Sequence, residues 1–364
     1  MTDDLRIVLQ RSWSRCLDTS EGRPVRPRFP ASLAREQLEN IPFRARVSST
    51  AGTSFVVGHT FGEFASSLTS AVTTAGVNAG EGGLLMLHAA GLADVESGRT
   101  VALVARSGMG KTTATRRLGT EFGYVTDETV ALDANGTLLP YAKPLSVIVE
   151  DPPAPKRQMG PDELGLLRAP KSPALASVVL LDRDPDALNP LVTELDHAEA
   201  LTALAPQTSF LGSIANPLQR LCSILDATGG ALRVTYREAG DLAGVMPQLL
   251  QRAPVAKTWT SAVEAEPHEG GRTPGAGFLC RGEVVDAVEV PTKNGQGTEL
   301  VALTGDGVVR VRGVGPAVWQ ALETPCDFES LAARIAPRVG LPEGYASQLQ
   351  TAIEDLQAVG IVAS

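Results

Sequence analysis

Short apolar runs at Arg6–Leu9 and Phe55–Gly58 read as strands, and the stretch from Phe61 to about Ala75 has helical apolar spacing. The Pro- and Arg-rich stretch Pro24–Pro30 reads as irregular. From Leu84 the pattern becomes strand, turn, strand, loop, helix: LLMLHAAGLA, a turn around Glu96–Gly98, TVALVA, RSGMGK and TTATRRLGTEF. GYVTDETVAL predicts a further strand, and the Asn-Gly pair in Asp133–Gly136 predicts a hairpin turn. Ser177–Asp182 is β-rich, Pro206–Ala227 is helical with a break at Pro217, Leu232–Glu238 reads as a strand and Asp241–Gln251 as a helix.

Lys257–Gly277 breaks the pattern. Thr, Ser, Glu, Pro, His and Gly dominate it without an apolar period, which is linker chemistry. A second organised unit starts near Phe278. It has β-like runs at Glu299–Leu303 and Gly307–Val311, joined by a turn at Thr304–Asp306. Helical stretches follow at Gly315–Glu323, Asp327–Val339 and Tyr345–Val359, the last with Leu349, Ile353 and Leu356 on one face. Gly360 suits a helix C-cap before a short final strand.

At 364 residues the chain exceeds one compact core. With 43% hydrophobic and 20% charged residues and no long apolar run, it reads as a globular protein without a membrane span. The N-terminus lacks the basic start and apolar centre of a secretory signal. A net charge of -9 argues against broad adhesion to nucleic acid or anionic lipid. Cys16, Cys222, Cys280 and Cys326 lie far apart without zinc spacing, so reduced thiols and a cytoplasmic location are expected.

The strongest chemical signal is Ala105–Thr112, a Walker A pattern between a strand and a helix. Glycines at 108 and 110 let the backbone amides of Ser107, Gly108, Met109 and Gly110 curl around a polyphosphate. The following helix N-terminus adds its dipole, with Thr113 in its first turn. Lys111 is expected to reach the β/γ-phosphates, and Thr112 to ligate Mg²⁺, so ATP or another nucleoside triphosphate is the expected ligand. Two sites offer the carboxylate that completes such a centre: Asp127–Glu128 after GYVT, and Asp182 after VVLL. The first is favoured, because a short β–loop–α–β return brings those acids to the phosphate end of a sheet. His88 stands among apolar residues, where a satisfied core histidine is the ordinary reading.

Together, LHAAGLA, ARSGMGKTT and VTDETVAL resemble the catalytic core of HPr kinase/phosphorylase over residues 84–148. The resemblance implies an α/β P-loop fold, His88 facing the phosphates, Asp127 as acid–base residue and Glu128 in the second acidic, metal-binding position. This sequence departs from the family pattern with Ala105 for Gly, Thr112 for Ser and Glu128 for Asp. Residues 1–252 look like kinase-related members found in peptide-modification gene clusters, with LPYAKPLSV and VVLLDRD as weaker matches.

Residues 278–364 resemble a PqqD-type domain, which implies a winged-helix-like α+β fold that binds a leader peptide as an added strand. The implied peptide-binding residues are Val308, Val309, Arg310, Val311 and Arg312 on the edge, and Leu349 and Ile353 near the groove. Core packing is the commoner role for such apolar helix positions. The expected division is a β-rich cap at 1–80 on a kinase-like domain at 81–252, a linker at 253–277 and the PqqD-like domain at 278–364.

The expected function is an ATP/Mg²⁺-dependent kinase of ribosomal peptide biosynthesis acting on a Ser or Thr hydroxyl, with partner enzymes or homo-oligomers compatible with it. Two alternatives stay open: a non-catalytic adaptor binding nucleotide and leader, and an ATPase or kinase with a small-molecule acceptor.

Overall fold

The structure, a computed structural model, describes residues 3–16, 42–49, 52–106, 108–149, 156–263, 277–293, 295–340 and 343–364. Ser107, the Pro24–Pro30 stretch and residues 264–276 lie outside them. The chain forms two compact units. One comprises Met1–Thr193, Gln207–Phe210 and Leu232–Arg252; the other comprises Glu194–Pro206, Leu211–Ala231 and Ala253–Ser364.

The first unit is mixed α/β. Its main sheet has seven strands in the order Leu167–Arg168, Gly123–Thr126, Ala89–Ala93, Arg99–Val104, Ala174–Arg183, Ala231–Tyr236, Leu191–Leu195. Ala89–Ala93 runs antiparallel to both neighbours, whereas Ala174–Arg183 is parallel to Arg99–Val104 and Leu167–Arg168 to Gly123–Thr126. Near-continuous apolar runs suit strands covered on both faces, and Ala89–Ala93 is buried throughout. Leu92, Val101, Leu103, Val179 and Val234 pack with Ala114 and Leu118 of the helix Lys111–Leu118, and with Leu242, Met246 and Leu249. Burying each such side chain is worth about 1.5–3 kcal/mol, which anchors the phosphate-loop helix to the sheet.

Two predicted strands each prove to be two. LLMLHAAGLA divides into Leu85–Leu87 and Ala89–Ala93, and GYVTDETVAL into Gly123–Thr126 and Val130–Leu132. In each case one half joins the seven-stranded sheet. The other joins a four-stranded sheet of Thr208–Ser209, Leu85–Leu87, Val130–Leu132 and Leu138–Leu139. An apolar period cannot report a change of sheet when both halves are buried. The expected hairpin is present: Ala131 and Leu132 pair with Leu139 and Leu138 around Asp133, whose carboxylate accepts from the Asn135 and Thr137 amides at 2.8 Å.

Among the described residues of the N-terminal part, helix outweighs strand. Arg6–Leu9, expected as a strand, lies within the helix Asp3–Ser12, which carries Arg11 in its last turn. Four apolar-rich residues are too few to separate a period of two from one of 3.6. A longer helix, Phe61–Ala79, begins at a capping box in which Thr60 Oγ1 accepts from the Glu63 amide at 3.2 Å. Among its described residues, strand is confined to the antiparallel pair Phe43–Ser49 and Gly52–Gly58.

The second unit has an antiparallel sheet in the order Thr260–Ser261, Asp286–Pro291, Thr298–Thr304, Gly307–Val311. Its helices Gly315–Ala321, Phe328–Val339 and Tyr345–Ala358 share a core containing Leu300, Val311, Trp319, Leu331, Ile335, Leu349, Ile353 and Leu356. Helices His197–Leu204 and Pro217–Ala227 belong to this unit as well. The Asp286 carboxylate, fully buried, accepts from the Leu218 and Gln219 amides at 2.8 and 3.1 Å and from Gln219 Nε2 at 2.9 Å. An anion at a helix N-terminus is favourable, and this one fastens Pro217–Ala227 to the sheet. At the other end of that helix Asp226 accepts from Trp259 Nε1 at 2.8 Å and meets His197 Nε2 at 3.0 Å.

Part of the stretch expected as linker is therefore folded. Trp259 is buried, and Thr260–Ser261 is an edge strand. A polar edge strand and a polar linker have the same composition, so only the pairing separates them. Among the described residues, no helix is long and apolar enough to cross a membrane.

Candidate functional site

The phosphate loop follows the strand Arg99–Val104 and ends at Lys111, the first residue of its helix. Gly108 and Gly110 have φ of 82° and 88°, left-handed values that cost other L-residues steric strain. The hydroxyl of Tyr236, from the main sheet, donates to Met109 O at 3.3 Å and braces the loop. Ala105 is buried, and its methyl packs in the sheet core at the position where the family pattern has Gly. Lys111 Nζ donates to Ala105 O, with Arg106 O at 3.4 Å. Burial lowers the Lys111 pKa, against the opposing pull of Glu128 and Asp127.

The breaks in the two split strands carry the remaining chemistry. His88 lies at one and Asp127–Thr129 at the other, and the Ala89 amide donates to Glu128 O at 3.1 Å across them. The His88 amide donates to Gln207 O at 2.7 Å. Chain that leaves a sheet at the mouth of the phosphate loop presents its side chains to the loop instead of to a neighbouring strand. His88, Gly108, Gly110, Lys111, Thr112, Thr113, Asp127 and Glu128 accordingly line one cleft of about 330 Å³. Met109 is half-buried against the core beside it. Asp182 is exposed and is not among the residues of that cleft.

Lys143, from the LPYAKPLSV segment, is the residue that sequence reasoning did not single out. Its Nζ lies 2.9 Å from Asp127 Oδ1 and 3.0 Å from Glu128 Oε2, with Lys143 and Asp127 side chains 2% and 3% exposed. Burial works against the ammonium, but Asp127 and then Glu128 outweigh it and raise its pKa. The available signal was a single lysine in an otherwise apolar segment, which needs a carboxylate partner if buried. The buried Tyr124 hydroxyl sits 3.1 Å from Asp127 Oδ1 and 2.9 Å from Lys143 O, donating its one proton to either. Asp127 Oδ1 is thus occupied. Oδ2 faces the Thr112 hydroxyl at 3.4 Å.

Burial lowers the His88 pKa first and Lys111 lowers it further, partly offset by Glu128 and Asp127. Arg116, Ser146, Ile148 and Lys156 also line the cleft. The donors fit magnesium: a hydroxyl and a carboxylate oxygen converge beside a phosphate loop, and this ion takes one or two protein oxygens plus substrate phosphates. Glu128, though paired with Lys143, keeps 39% of its side chain exposed to the cleft. No group of three or more His, Cys, Asp or Glu side chains able to hold a metal occurs among the described residues.

In the second unit, Gly307–Val311 ends the sheet order and is an edge strand carrying Val308, Val309, Arg310 and Val311. Arg310 and Arg312 are engaged within the unit, both donating to Glu299 Oε2, at 2.8 and 3.0 Å. Leu349 and Ile353 are buried in the core.

No protein-family model matches this chain, and no curated protein matches it significantly. Among solved structures, one that is similar is the Hpr(Ser) kinase/phosphatase from Coxiella burnetii, at 13% identity and a TM-score of 0.26. The similarity covers 46% of this chain and 93% of the other. A likeness of that size carries no functional weight, so the chemical reading stands on the loop, the acids and the buried lysine.

Proposed function

We propose that the first unit is a phosphotransferase that binds ATP with Mg²⁺ and phosphorylates a Ser or Thr hydroxyl of a peptide. The observation that carries this reading is the position of Asp127 Oδ2, 3.4 Å from the Thr112 hydroxyl, while Oδ1 is held by Lys143 and Tyr124. One oxygen fixes the carboxylate and the other is left to take a proton. The acceptor oxygen forms a bond to the γ-phosphorus as the bond to the ADP oxygen breaks, and the hydroxyl proton passes to Asp127 Oδ2. Lys111 and the loop amides stabilise charge on the γ-phosphoryl oxygens. Thr112, with Glu128, would hold the magnesium ion, which supplies further charge neutralisation. His88 lines the same cleft as a hydrogen-bonding partner.

In this reading the second unit recruits the acceptor, taking a leader peptide along Val308–Arg312 as PqqD-type domains do. Tethering would raise the local acceptor concentration to about the millimolar range. The test is mass spectrometry of a candidate precursor incubated with the full chain, ATP and Mg²⁺. One added phosphate is expected, with a loss of about 10²–10⁴-fold in Asp127→Asn, the range for removing a general base. ADP and free phosphate without modified peptide would replace this reading with an ATPase.

One observation favours a second reading, a non-catalytic adaptor for nucleotide and leader. Lys143 already neutralises both acids. Unchanged ATP together with tight peptide binding would decide for it.

A further inference from the structure

A groove larger than the phosphate cleft, about 880 Å³, lies in the same unit. Its apolar wall includes Val8 of the first helix, Phe61 and Ala65 of the helix Phe61–Ala79, and Val149. Four cations, Arg11, Lys156, Arg157 and Arg168, line it against two carboxylates, Asp162 and Glu163. Arg157 pairs with Glu163 at 3.2 Å and Arg168 with Asp162 at 3.1 Å. Arg11 and Lys156 have no ion-pair partner among the described residues, so the described lining carries four positive charges against two negative ones.

The groove and the phosphate cleft have one described lining residue in common. Lys156 lines both, and the consecutive residues Ile148 and Val149 line the cleft and the groove respectively. Ile148 is 59% and Val149 53% exposed.

We propose that this groove is the acceptor site, taking an extended peptide segment with acidic and apolar side chains around the hydroxyl residue. The inference rests on the phosphotransferase reading and adds the entry route and the acceptor's chemistry. Carboxylates of the segment meet Arg11 and Lys156, its apolar side chains cover Val8, Phe61 and Val149, and its hydroxyl passes Ile148 towards Asp127. The excess positive charge of the described lining disfavours a basic occupant.

The test uses the full chain with short fluorescein-labelled peptides containing one Ser among Leu and Glu, or among Leu and Lys, read by fluorescence anisotropy. The Glu peptide is expected to bind and the Lys peptide not. Reversing one rim charge with Arg11→Glu should weaken Glu-peptide binding roughly tenfold or more while a fluorescent ADP analogue binds as before. Equal binding of the two peptides, no binding of the Glu peptide at millimolar concentration, or no effect of Arg11→Glu would overturn the proposal. A change of oligomeric state in Arg11→Glu, seen by light scattering without an effect on peptide, would make the groove a self-contact and also overturn it. Adding ATP and Mg²⁺ separates the two readings. Glu peptide that binds through Arg11 but gains no phosphate refutes the kinase and leaves the groove standing. Phosphorylation that is indifferent to Arg11→Glu refutes the groove alone.

Discussion

Asp127 in the first unit and Asp286 in the second are both buried carboxylates, but they are compensated in different ways. Asp286 is surrounded by neutral N–H donors: the Leu218, Gln219 and Ala287 amides and the Gln219 side chain. Every donor belongs to an element that the contact fastens, and both oxygens are engaged. Asp127 is compensated chiefly by one buried cation, Lys143, at one oxygen, while the other looks across a weak 3.4 Å contact to the loop. A carboxylate ringed by amides has no reason to change partners. One balanced by a single cation beside an open cleft can accept a proton or metal without unfolding its surroundings. The same contrast separates Glu299, which holds Arg310 and Arg312 in place, from Glu128, which keeps access to the cleft.

The largest expected effect tests the single-cation side of this comparison. Lys143→Met leaves Asp127 buried without its counter-charge, and breaking such a pair from one side costs about 3–5 kcal/mol. Urea unfolding of the full chain should report that loss, and adding Asp127→Asn should recover part of it. A loss below about 1 kcal/mol would mean that water screens the pair as it does surface pairs.

Next comes the fastener. Asp286→Ala strands several buried donors at the start of Pro217–Ala227, for an expected cost of about 2–3 kcal/mol. Hydrogen exchange should quicken in that helix, and unchanged protection there would show that the amides find other acceptors.

The smallest effect concerns Glu299. Burial raises its pKa, but the hydrogen bonds from Arg312 and Arg310 outweigh this and hold it below the ordinary 4.5. Because the folded value is the lower one, the ion pairs contribute fully above the unfolded pKa. Their contribution is lost as pH falls through the folded value. Denaturant midpoints should therefore decline more steeply below about pH 4.5 in the wild type than in Glu299→Gln. Parallel curves would remove the carboxylate from the acid response.

The loop was legible because its pattern is local: two glycines, a lysine and a threonine between a strand and a helix make up the Walker A signature without reference to distant chain. His88, Asp127 and Glu128 were marked by residue type and order, and the structure brings them to the loop. What could not be read was why they arrive there. The two sheet switches hide inside continuous apolar runs, since burial on two successive sheets looks like burial on one. Lys143 was hidden for a related reason, because its meaning lies in carboxylates fifteen or so residues away. Thr260–Ser261 has the composition of a linker because an edge strand exposes polar side chains.

Residue order alone determined the phosphate loop, the alternation of strand and helix around it, the Asp133–Gly136 hairpin and the helices after Gly315. Each of these depends on backbone preferences or apolar spacing within one short window. Tertiary structure decided the sheet switches at His88 and Asp127, the pairing of Lys143 with both acids and the assignment of Pro217–Ala227 to the second unit. It also decided that the groove and the phosphate cleft share Lys156. These depend on which distant groups share a low-dielectric space, and only the folded chain settles that.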